Sequence, residues 1–129
     1  MPDRRLVLLA VAGVLTVADL AQKASAPVYG HPRSTGFVAL AAALTVAVVW
    51  LVPRVPSRPL AVVGGIAVAG AFGNLVSALT WRGGVPNPIM LGDIAFNIAD
   101  VCAVTGAVAL VVGAALFALR NPALLRQPI

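Results

Sequence analysis

Glutamate is absent from this 129-residue chain, and cysteine, histidine, lysine and tyrosine occur once each. The lone Cys102 cannot form an intrachain disulfide, and inside an apolar run it reads as a small core residue. The lone His31 stands beside Pro32 in a polar stretch and reads as an exposed loop residue, so no metal cluster and no cofactor are expected. Charge is scarce: Asp, Glu, Lys and Arg make up 10% of the residues, against roughly a quarter in soluble domains. This excludes a water-soluble globular protein.

The remaining composition is apolar, 60% hydrophobic with a mean hydropathy of +1.00. Four runs account for it, at residues 6–22, 36–52, 60–80 and about 94–119. Each is near the ~20 residues that cross a ~30 Å hydrocarbon core. The fold expected is an all-α polytopic membrane protein of four transmembrane helices, one domain over residues 1–129. The first run also has the basic start and A-x-A end (Ala24, Ser25, Ala26) of a cleaved signal peptide. Pro27 at the cleavage point and Asp19 within the run favour a retained helix.

The net charge of +5 is distributed by topology rather than for nucleic acid. Arg4, Arg5, Arg54, Arg58, Arg120 and Arg126 fall on one side of the spans and Lys23, Arg33 and Arg82 on the other. By the positive-inside rule both termini are cytoplasmic and residues 82–93 external. Glycine and alanine are dense in the third and fourth runs (Gly64, Gly65, Gly70, Gly73, Gly106, Gly113), which predicts close packing of those two helices.

With that topology the polar residues of the spans converge on one depth, the outer boundary. Asp19 and Lys23 end the first helix, Asn74 and Ser77 the third, and Asn97 and Asp100 open the fourth, with Asn87 and Asp93 in the loop between. Helices 1, 3 and 4 are expected to enclose a polar pocket open to the outside. Plain structural roles exist for several: an i, i+4 ion pair closing a helix end for Asp19 and Lys23, interhelical bonding for Asn74, an N-cap on helix 4 for Asp93. Asp100 has none so simple, since a carboxylate costs about 2.5–3.5 kcal/mol at the bilayer centre and no basic residue lies near it in sequence.

The stretches GAFGNLV (70–76), FNIAD (96–100) and DLAQK (19–23) resemble lipoprotein signal peptidase, signal peptidase II. That resemblance implies a four-helix aspartic protease of the bacterial cytoplasmic membrane. It would cleave the signal peptides of diacylglyceryl-modified prolipoproteins on the outer side. It implies Asp100 as one catalytic aspartate, with Asp19, Lys23, Asn74 and Asn97 around the substrate. The other catalytic aspartate lies in a G-x-V-x-D-F segment that reads here as GGVPNPI, which puts Asn87 near its position. The family's G-N-x-x-D-R reads as Gly73-Asn74-Leu75-Val76-Ser77-Ala78, and its N-x-G-A-A-F-like external stretch is missing.

An aspartic protease needs two carboxylates, one accepting a proton from water while the other donates to the carbonyl. Asn87 has nearly the shape of Asp but nothing to titrate. Were the chain helical from Asp93 onward, Asp93 and Asp100 would be about 10.5 Å apart along the axis, too far to share a proton; a folded-back loop leaves that distance open. Three readings follow. The first is a catalytically degenerate member binding a lipoprotein signal peptide or partner transmembrane helix in an outward-facing groove. The second is an active endopeptidase with a rearranged Asp93/Asp100 dyad. The third is a small four-helix transporter or assembly subunit, although small exporters typically rely on a glutamate that this chain lacks. The partners expected are membrane lipid and a hydrophobic or lipid-modified peptide, not nucleic acid.

Overall fold

A computed structural model describes residues 3–25 and 30–123. Ala26 and Pro27 of the cleavage-like stretch, and Arg126, lie outside the described residues. In hydrocarbon a backbone must bond to itself, so the long apolar runs become helices. These are α1 (Arg4–Ser25), α2 (Thr35–Leu51, continued by a 3-10 turn Val52–Arg54), α3 (Arg58–Thr80) and α4 (Ile98–Arg120). All four are long and apolar enough to span a membrane. Ser34 and Ser57 cap α2 and α3 by accepting from the Phe37 and Leu60 amides.

The middle of the bundle is α3. Over half of its span is buried (56%), against 28%, 6% and 11% for α1, α2 and α4. Small residues let α3 take this place. A β-carbon on Gly70 would overlap the backbone of Ala103, and one on Gly106 would overlap that of Ala67. The two glycines thus sit at reciprocal positions of an α3–α4 contact with backbone nearly against backbone. Gly65 does the same for α1, where an added β-carbon would stand 2.6 Å from the Leu8 carbonyl oxygen. Leu8, Ala12, Ala61 and Val68 form the apolar centre, with Val48 and Val49 of α2 and Val52 of the 3-10 turn packed on it.

Between the helix ends lie four short strands, β1 (Gly30–His31), β2 (Val85–Pro86), β3 (Ile89–Leu91) and β4 (Ile94–Phe96). β1 pairs antiparallel with β2, joining the α1–α2 connection to the α3–α4 connection. β3 and β4 form a hairpin in which Leu91 pairs with Ile94 across a Gly92-Asp93 turn, Gly92 taking φ +60°. This corrects the sequence reading twice. The fourth helix starts at Ile98 rather than near 94, because residues 94–96 are a strand. Its N-cap is Asn97, not Asp93, which is exposed at the hairpin tip.

Candidate functional site

The first turn of α4 organises the polar cluster. Its first three amides have no partner within the helix. The Ile98 amide donates to Gln22 Oε1 (3.3 Å), the Ala99 amide to Asp19 Oδ1 (2.8 Å) and the Asp100 amide to Asn97 Oδ1 (2.8 Å). Asp100 Oδ2 in turn accepts from the Asn97 amide at 3.1 Å, closing a capping box. Two side chains from the last turns of α1 are therefore what position α4.

Lys23 supplies the charge that holds Asp19 in place. Its ammonium is fully buried and donates to Asp19 Oδ2 (2.6 Å), Ser77 Oγ (2.9 Å) and Asn74 Oδ1 (3.1 Å), with the Gly73 carbonyl a longer fourth acceptor at 3.5 Å. The ion pair expected at the helix end forms, but it points inward. Gly73 makes room for it, since a β-carbon there would lie 2.8 Å from Asp19 Oδ2.

Asn74 links this inner part to the outer one. Its oxygen accepts from Lys23 and from Asn97 Nδ2 (3.1 Å), and its nitrogen donates to Asp100 Oδ1 at 2.7 Å. Ammonium on one side and carboxylate on the other leave the amide one sensible orientation. Asn97 Nδ2 also donates to Asn87 Oδ1 (2.7 Å) and the Pro86 carbonyl (3.1 Å). Asn87 Nδ2 lies 3.3 Å from His31 Nδ1, across the β1–β2 pair.

Asp19, Lys23, Asn74, Asn97, Asp100 and Asn87 thus form one connected network among α1, α3, the start of α4 and the residue after β2. Asp93 stands apart from it: three strand residues, about 10 Å, separate the hairpin tip from the Asn97 cap. Of the two carboxylates in the network, the Asp19 side chain is 1% exposed and the Asp100 side chain 29%. Asp100 is the accessible one.

Three participants escaped the sequence reading. Arg33 reaches from the α1–α2 connection to within 3.7 Å of Asp100 Oδ1, its guanidinium lying over the Phe37 ring. A cation therefore stands near Asp100 although none lies near it in sequence. Gln22 caps Ile98, and His31 is bonded to the site rather than only exposed. No local pattern marks contacts between residues this distant in sequence. The start of α4, by contrast, is signalled by N-x-x-D, an asparagine cap with an acid three residues on. The hairpin is signalled by Gly-Asp between apolar pairs.

Below Asp100 an apolar groove of about 270 Å³ runs between α2 and α4. Ala103, Ala107 and Val111 continue the Asp100 face of α4, Leu44 and Val48 form the α2 wall, and Ala67 and Ala71 the floor.

The sequence model of signal peptidase (SPase) II matches residues 11–117. Neither the curated proteins nor the solved structures gave a match. Since the matched span runs from α1 to the last turns of α4 and takes in every member of the polar network, this chain belongs to the signal peptidase II family.

Proposed function

We propose that this family member holds a hydrophobic helical segment, the signal peptide of a lipid-modified protein or a partner transmembrane helix, in the α2–α4 groove without cutting it. The observation that carries the reading is that the polar network holds a single accessible carboxylate. Asp100 is part-exposed one turn before Ala103, Asp19 is sealed in its ion pair, and the resemblance of GGVPNPI to the family's G-x-V-x-D-F segment assigns Asn87 to the second aspartate's position. With one carboxylate, no proton can be taken from water by one acid while a second donates to the peptide carbonyl. Asn87 has its oxygen bound to Asn97 and its nitrogen directed at His31, so its amide serves the network.

What remains suits recognition. The groove offers an apolar face to a peptide helix, and its polar end offers carboxylate and guanidinium groups to the backbone where that helix unwinds. Small residues on the floor, Ala67 and Ala71, give it depth.

The test is to incubate the full chain in lipid nanodiscs with a fluorescent, diacylglyceryl-modified prolipoprotein peptide, reading binding by anisotropy and cleavage by mass spectrometry. Saturable binding without product is expected, weakened by Ala107→Trp, which fills the groove. Turnover that disappears in Asp100→Asn would establish a working endopeptidase and overturn the proposal.

A further inference from the structure

A second cleft lies on the neighbouring face of α2, toward α1, and plays no part in that reading. α1 and α2 both pack on α3 and leave a channel between them. At the bundle end where α1 starts and α4 finishes it is lined by Arg5, Val46, Val49 and Trp50, with a volume of about 520 Å³. It continues toward the other end past Leu9, Gly13 and Val17, a further cavity of about 390 Å³ that shares Thr45 and Val49 with the first. From Arg5 to Val17 the channel follows twelve residues of helix, about 18 Å. That matches the acyl region of one leaflet, half of a ~30 Å core.

The cationic groups at its mouth differ in their commitments. Arg4 donates from Nε to the Pro53 carbonyl (3.0 Å), and Arg54 folds over the Trp50 ring, 3.6 Å from its centroid. Arg5 is exposed, and among the described residues its guanidinium makes no hydrogen bond or ion pair. The acid closest in sequence, Asp3, accepts from the Arg5 backbone amide at 3.1 Å. Arg58 and Arg120 add positive charge at the same end of the bundle. Arg5 thus sits, unpaired among the described residues, at the end of a channel whose walls are apolar and whose rim carries a tryptophan. That pattern of charge over a lipid-length apolar slot is complementary to a phospholipid with an anionic head.

We propose that the α1–α2 channel binds an anionic phospholipid, with Arg5 on the phosphodiester, Trp50 beside the glycerol region and one acyl chain along Val49, Leu9 and Gly13.

Trp50 reports on this site. In a Trp81→Phe full-length chain it is the only tryptophan, and brominated phosphatidylglycerol and brominated phosphatidylcholine in nanodiscs can be compared as quenchers. The phosphatidylglycerol should be preferred about fivefold, the factor expected from one arginine at an anionic surface. Arg5→Gln should abolish the preference, Arg5→Lys should keep it, and millimolar inorganic phosphate should not compete. Native mass spectrometry of the unaltered chain should likewise show phosphatidylglycerol adducts that Arg5→Gln loses. Equal quenching by the two lipids, or a preference undiminished in Arg5→Gln, would mean ordinary solvation by bulk lipid and overturn the proposal. Displacement of the quencher by free phosphate would overturn it in favour of an ion site, and protection of Trp50 from both quenchers in favour of a protein partner.

Discussion

Replacing Lys23 by methionine tests whether the buried network acts as a unit. The ammonium is fully buried and bonds to Asp19, Ser77 and Asn74. Polar contacts between membrane helices average only about 0.6 kcal/mol, because separated helices find other partners in the bilayer, so three lost bonds amount to about 2 kcal/mol. The larger effect falls on Asp19, which is 1% exposed and would be left without a counter-ion. Breaking a buried pair from one side costs about 3–5 kcal/mol. The Ala99 amide would still donate to Asp19, and the N-terminus of α4 offsets about 0.3–1 kcal/mol. The two losses share the Asp19–Lys23 bond, so a net destabilisation of about 3–6 kcal/mol is expected. Adding Asp19→Asn removes the stranded charge while an oxygen remains for the Ala99 amide, and the double variant should recover about half of the loss. Reversible unfolding of the full chain in mixed micelles, followed by circular dichroism, measures both. A single variant within about 0.5 kcal/mol of the parent, or effects that simply add in the double variant, would refute the argument.

Gly70→Ala should destabilise by about 1–3 kcal/mol in the same assay, because its β-carbon meets the Ala103 backbone, whereas Gly13→Ala, with no atom within 4 Å, should change little. Asn97→Ala should lower stability by about 1 kcal/mol through loss of the cap and speed amide exchange in the first turn of α4; unchanged exchange there would show that Gln22 and Asp19 suffice. In a Cys102→Ala background, a cysteine at Ser34 should react with an impermeant reagent outside the cell and one at Ser57 should not, and the reverse would invert the topology. Asn87→Asp alone should not yield cleavage near 1 per second, a typical enzyme rate, since Pro86 and Pro88 fix its backbone and its side chain is directed at Asn97 and His31. Turnover at that rate would show the loop to be competent as it stands.

The four spans were legible because membrane insertion is governed by local composition: ~20 apolar residues form a helix wherever they occur. The glycines of α3 and α4 announced their close packing for a similarly local reason, the absence of a side chain. The polar residues could be assigned to one depth from the spans alone. Misreading 94–96 as helix had a physical cause, since Ile-Ala-Phe is as apolar as the helix that follows. The choice between strand and helix there falls to the Asn97–Asp100 capping box and the Gly92 turn.

Tertiary structure alone decided which polar groups touch. Lys23 meets Asn74 and Ser77 more than fifty residues away, and Arg33 reaches Asp100 from a different connection. Depth and helix face restrict such partners without selecting them. The selection is made by how closely α1 and α4 approach α3 over Gly65, Gly70 and Gly73, and by the pairing of β1 with β2 that carries His31 to Asn87. The sequence by itself determined a four-helix membrane protein with polar groups at one end. Packing at backbone distance decided that Asp19 is sealed in an ion pair and that Asp100 alone of the network's carboxylates stays accessible.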